Sequence, residues 1–294
     1  MPVGDGKGGA LRQPLISEDE DMRQLRMPST DPSMVRWKEP EAERVAVGTQ
    51  QVLLEYHLSS LRTKSTANYI IAILCLTYIG VNLTCLVINS LSEEKREEFE
   101  LPFHLLEFWA TFLFAVLEVC ALAVSPQPIT SVYGNPLLLK AVMFANVTVS
   151  FVPAALVTFS LETFEIPAHQ VEYSNEITMS FVDLVLLFSI LKSKDALGAK
   201  DFFLDSSTIM VGLASIIAIV QLSIYNFIKG EDGEQIAHFF EFIFEMISAG
   251  ITFWFAVDSK IMCDRKIANI FRNPMAEYSW QLDARDYFRD SVVE

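Results

Sequence analysis

Apolar residues gather into six runs of about twenty along this chain, each divided from the next by a short polar loop. The runs cover roughly 68–90, 103–125, 137–161, 172–191, 203–228 and 236–257. A helix rises about 1.5 Å per residue, so each run matches a hydrocarbon core about 30 Å thick. The pattern predicts an all-α polytopic membrane protein: a bundle of six transmembrane helices occupying 67–258. Before it, residues 1–48 are rich in Pro, Ser, Gly and mixed charge, which predicts a disordered tail. Between tail and bundle, 49–66 places Leu54, Leu58 and Leu61 on one side and Glu55 and Ser59 on another, predicting an interfacial amphipathic segment. Residues 259–294 read as a mixed-charge C-terminal tail carrying Tyr278, Trp280, Tyr287 and Phe288. The first 66 residues lack the apolar stretch of a signal peptide, so the first span is expected to act as the insertion signal.

Basic residues orient the bundle. Arg44, Arg62 and Lys64 precede the first span, Lys140 opens the third, Lys192, Lys194 and Lys200 follow the fourth, and Lys260, Arg265, Lys266 and Arg272 follow the sixth. The alternate loops hold only Lys95, Arg96 and Lys229. By the positive-inside rule, both termini are expected in the cytosol.

Polar positions inside the apolar runs carry the candidate chemistry. In the sixth run, His238, Glu241, Glu245, Ser248 and Thr252 recur at intervals of three and four, which places them on one helical face. In the second run, His104, Glu107, Thr111, Phe114 and Glu118 form a comparable stripe. Both stripes open with His-x-x-Glu after a short acidic loop, and four spans separate them. The pair therefore hints at a parallel duplication relating spans one and two to five and six. In the fourth run, Glu172, Glu176, Ser180 and Asp183 share a face, with His169 just before it.

Composition sharpens this picture. The mean hydropathy is +0.32, and 51% of residues are hydrophobic. The net charge is −15, with the acidic excess in the non-cytosolic loops and in five acids within the spans: Glu107, Glu118, Asp183, Glu241 and Glu245. Acidic loops are accounted for by their small influence on topology. Ionisable groups inside a membrane are costly and are expected to face a bundle interior or a wet cavity. So acidic a chain is not expected to bind nucleic acid. Cys75, Cys85, Cys120 and Cys263 have no metal-ligand spacing and imply no disulfide framework.

Two His-x-x-Glu pairs at one depth suggest a site of two imidazoles and two carboxylates: His104, Glu107, His238 and Glu241. Such a set suits Zn²⁺, Mn²⁺ or Fe²⁺, and it equally suits protons. A divalent metal ion is the one cofactor it implies. Glu118, Glu245 and Asp183 would continue a cation or proton path inward. The competing structural reading is that these groups are interhelical hydrogen bonds that hold spans together.

The leading expectation is thus a cation transporter, channel or sensor embedded in lipid. A second is a non-transporting endomembrane scaffold whose cytosolic tails bind proteins. An intramembrane metal-dependent hydrolase ranks last, because no third strong ligand is evident; the chain is read as a non-enzyme. Within the N-terminal tail, Arg12-Gln13-Pro14-Leu15-Ile16-Ser17-Glu18-Asp19-Glu20-Asp21 resembles the dileucine-type sorting signals of endosomal, lysosomal and vacuolar membrane proteins. It points to Leu15 and Ile16 as the signal and to those membranes rather than the plasma membrane. In the third span, Asn146, Ser150 and Pro153 predict a kink. Gly212, Ala214 and Ser215 in the fifth predict close helix packing.

Overall fold

The computed structural model describes residues 32–126, 136–197, 202–228 and 231–272. They form seven helices in the order α1 (Pro32–Asn89), α2 (Glu93–Glu97), α3 (Glu100–Val124), α4 (Pro136–Phe159), α5 (Leu161–Leu197), α6 (Phe202–Phe227) and α7 (Glu231–Arg272). No strand occurs among the described residues. Five segments are long and apolar enough to cross a membrane: Val52–Asn89, Glu100–Val124, Leu138–Phe159, Met210–Phe227 and Gly233–Arg272. The fourth expected span lies in α5, which is not among these five. Its face carrying Glu172, Asn175, Glu176, Ser180 and Asp183 lowers its hydropathy, while Val182, Val185, Leu186 and Leu187 are fully buried.

Two boundaries differ from the pattern-based reading. Helix α1 begins at Pro32, so residues 32–48, expected to be disordered, belong to a helix that continues without a break through 49–66 into the first span. Low apolar content denies a segment its own core, but a helix extends one residue at a time from an existing neighbour at little cost. Pro32 sits at the first helical position, where its missing N–H costs nothing. Likewise α7 runs to Arg272, so 259–272 of the expected tail is helical. The expected signal at Leu15 and Ile16, and the aromatic residues from Tyr278 to Phe288, lie outside the described residues.

The chain divides into two compact units, Met1–Glu55 and Tyr56–Glu294. In the second, α3, α5 and α7 all touch one another, α4 packs on α3 and α5, and α6 packs on α5 and α7. Helix α1 joins α3 through a flat stack of Tyr78 on Phe114, with ring centroids 4.4 Å apart. The core is built from the faces that the central helices turn inward, including Phe114, Met179, Leu186, Phe244 and Ala249. The outer helices present large apolar side chains outward: Ile70, Ile73 and Leu74 on α1, Phe144 and Phe151 on α4, and Leu213, Ile216 and Ile219 on α6. Polar interior with apolar exterior is the arrangement that lipid, not water, selects. Gly212 is a correction to the packing expectation: a Cβ there would meet nothing within 4 Å. Ala214, two residues on and turned to the other side, is the small residue that enters the core. Pro153 is accommodated within an uninterrupted α4.

Helix α7 runs antiparallel to α1, tied at both ends. Ser65 Oγ donates to Asp264 Oδ1 at 2.6 Å. Asn89 Nδ2 donates to the Gln235 carbonyl at 2.9 Å, and Gln235 Nε2 returns a bond to the Asn89 carbonyl at 2.7 Å. Along α1 the two ties are about 36 Å apart at 1.5 Å per residue, which brackets the hydrocarbon core. Gln235→Ala removes one of the reciprocal bonds and is expected to cost about 1 kcal/mol, or roughly 2–4 °C in thermal midpoint, in detergent-solubilised protein. An unchanged midpoint would show that this tie contributes no stability.

Candidate cation site

On α3, His104 and Glu107 lie one turn apart, and His104 Nδ1 is 3.0 Å from Glu107 Oε2. On α7, His238 Nδ1 is 3.1 Å from Glu241 Oε2, the same local arrangement. The two pairs meet. His238 Nδ1 is also 2.8 Å from Glu107 Oε1, so the Glu107 carboxylate bridges imidazoles on two helices. All four residues are at most 2% exposed. One ring N–H at His238 is contested by two carboxylates, and each nitrogen can serve only one proton.

His169, on α5, completes the cluster. Its ring centroid is 5.1 Å from that of His104 and 4.8 Å from that of His238, and the latter two are 5.5 Å apart. His104, Glu107, His169 and His238 each offer one ligand atom within 4.8 Å of the others, as do His104, Glu165, His169 and Glu234, and likewise His169, Glu172 and Glu241. At the rim, His104 Nε2 is 3.4 Å from Glu165 Oε1 and His238 Nε2 is 3.7 Å from Glu234 Oε1. Neither ring nitrogen of His169 and neither carboxylate oxygen of Glu172 has a hydrogen-bond partner among the described residues. The pattern reading named His169 but left it outside the site, and it did not name Glu165 or Glu234. The signal was present as a third His-x-x-Glu, His169-Gln170-Val171-Glu172. Polar Glu165, Gln170, Ser174 and Asn175 around it gave it the look of a loop.

The deeper acids form smaller groups. Glu245 lies beside Thr111, Tyr78 and Asn82, with Thr111 Oγ1 in hydrogen-bond contact with Glu245 Oε1. Ser248 donates to Asp183 Oδ2 at 2.6 Å, Asn146 Nδ2 donates to Glu118 Oε2 at 3.4 Å, and Glu118 and Asp183 lie side by side. Asn146 is buried, and its Oδ1 accepts from Asn175 Nδ2 at 2.9 Å. Gln221 Nε2 donates to Glu176 Oε1 at 3.1 Å. Among the described residues seven carboxylates are buried: Glu107, Glu118, Glu172, Glu176, Asp183, Glu241 and Glu245. No lysine or arginine is among the buried described residues. A cavity of about 230 Å³ between α1 and α7 is lined by Leu86, Asn89, Ser90, Gln235, Ile236 and Phe239, so the His/Glu cluster lies outside it.

Five apolar helices of spanning length, a buried acidic interior and an apolar exterior define the class: an integral helical membrane protein. Its His/Glu groups have the donor chemistry of a metal site. No family model matches the chain, and neither a curated protein nor a solved structure matches it.

Proposed function

We propose that the protein handles cations across or within a membrane, as a transporter, channel or sensor for protons or divalent metal ions. The observation that supports this most is the convergence of His104, Glu107, His238 and Glu241 into one buried cluster in which Glu107 contacts both imidazoles. A bilayer interior penalises isolated charge, and among the described residues seven carboxylates but no lysine or arginine are buried, which calls for protons or metal ions as counter-charge. On this reading α5 is the fourth of six spans, both termini are cytosolic, and the cluster opens toward the non-cytosolic side, where acidic loops concentrate cations. Glu245, Glu118 and Asp183 lie deeper on the same central helices and supply the next positions inward. The test is proton or metal flux into proteoliposomes, alongside metal binding by the purified protein. If replacing His104 and His238 together leaves both unchanged, the reading fails.

Leu15 and Ile16 carry the localisation part of the proposal, an endosomal, lysosomal or vacuolar membrane. Substituting both with alanine is expected to shift a fluorescently tagged protein to the plasma membrane in cells. Unaltered distribution would remove the sorting signal from the account.

A further inference from the structure

The three central helices repeat one pattern in one register. Counting from His104, His169 and His238, each has a glutamate three residues on (Glu107, Glu172, Glu241) and an aromatic ring four on (Phe108, Tyr173, Phe242). Fourteen residues on come Glu118, Asp183 and Thr252, all buried. The geometry repeats with the residues. Each histidine presents Nδ1 to Oε2 of its own glutamate, at 3.0, 3.5 and 3.1 Å. Each stacks on its own aromatic ring, with centroids 6.1, 5.5 and 5.9 Å apart.

The outer helices follow the same cycle. Asn82 of α1 faces Glu245 of α7, Asn146 of α4 bonds Glu118 of α3, and Gln221 of α6 bonds Glu176 of α5. In each case the amide of one helix pair reaches an acid of the preceding pair. The three helix pairs, α1 with α3, α4 with α5 and α6 with α7, are thus linked in one cycle. The three imidazoles lie at nearly equal separations from one another.

Resting on the cation-handling reading above, we infer that His104, His169 and His238 form a three-imidazole site for a borderline divalent transition metal such as Zn²⁺, with Glu165 and Glu234 beside it at the rim. The orientation follows from the repeated contact. At His104 and His238 the carboxylate at Nδ1 fixes the tautomer with hydrogen on Nδ1 and leaves the Nε2 lone pair for a metal, the carboxylate–histidine–metal arrangement; Glu172 lies 3.5 Å from His169 Nδ1 in the matching position without a hydrogen bond. His238 Nε2 and both nitrogens of His169 are buried without a hydrogen-bond partner among the described residues, as donor atoms open to a ligand are. Three nitrogen donors select Zn²⁺, Co²⁺ or Cu²⁺ over Mg²⁺ and Ca²⁺, which prefer all-oxygen shells.

The test uses full-length protein in detergent or nanodiscs, titrated with Co²⁺ followed by its visible absorption, then displaced by Zn²⁺. One ion per chain is expected, unmoved by excess Mg²⁺ or Ca²⁺. His169→Asn is expected to weaken binding at least tenfold, as His104→Asn and His238→Asn do. Glu172→Gln, which only loosens the orientation of His169, is expected to weaken it about tenfold. If His104→Asn and His238→Asn weaken binding while His169→Asn does not, the three-imidazole site is overturned and the cation reading based on α3 and α7 stands. If the protein conducts protons but binds no Co²⁺, the metal inference alone is overturned; if it does neither, both are. Should the His169 variants fail to fold, pulsed electron paramagnetic resonance of Cu²⁺ on the unaltered protein counts the bound imidazoles. Three supports the site, and two or fewer overturns it.

Discussion

Replacing His104 and His238 together with alanine is expected to lower divalent-metal affinity by about four powers of ten, and with it any metal flux into proteoliposomes. Structural zinc sites bind with roughly 10–16 kcal/mol spread over four donors, so each donor is worth about 3 kcal/mol, and two imidazoles correspond to about 10⁴-fold. The effect is amplified here because Glu107 touches both rings. Removing them leaves a fully buried carboxylate without either partner. The double variant is therefore expected to lose thermal stability as well, and binding is to be compared with a His238→Asn single variant, which keeps a polar group in place. Isothermal titration with Zn²⁺ reads the affinity. A loss below tenfold would mean that these imidazoles are not ligands.

The second large effect concerns the deep carboxyl pair, Glu118 and Asp183. Asp183→Ala alone leaves Ser248 without its acceptor and Glu118 without its neighbour, and is expected to destabilise the protein by about 3 kcal/mol. Replacing both acids with leucine removes the carboxyl pair itself; Ser248 Oγ and Asn146 Nδ2 lose their acceptors, while Asn146 Oδ1 still accepts from Asn175. Burying charge or unmatched polar groups is costly enough that such double replacements are often neutral or stabilising by about 1–4 kcal/mol. The Glu118→Leu/Asp183→Leu protein is thus expected to unfold above the temperature of the Asp183→Ala protein while losing cation flux. That combination separates a conserved-energy argument from a functional one, since acids kept as glue lower stability when removed. If the double variant is as unstable as the single one, the pair is structural and the inward path loses two of its members.

How much of this was legible beforehand differs between helices. On α3 and α7 an apolar background made each His-x-x-Glu stand out, and helical periodicity alone put His238, Glu241, Glu245, Ser248 and Thr252 on the face that is now seen to be buried. On α5 the same motif was hidden, because its neighbours Gln170, Ser174 and Asn175 are polar too. A central helix enclosed by protein has no need of an apolar outer surface, so hydropathy underrates such a span. The same reasoning explains why two His-x-x-Glu helices stood out in the pattern while the third, His169 to Glu172 on α5, did not. For residues 32–48, composition tells whether a segment has a core of its own, and it does not tell whether a neighbouring helix will extend through it.

The sequence by itself determined the all-helical class, the lipid-facing exterior, the stripe on each of α3 and α7, and the residue types available for coordination. These follow from spacing, which is a property of the chain along its own axis. Only the tertiary structure decided that Glu107 bridges His104 and His238, that His169 closes the triangle, and that Glu118 lies against Asp183. Those contacts depend on which helix packs against which and at what rotation, and such choices are made by the summed fit of many side chains between helices. No single segment contains that information.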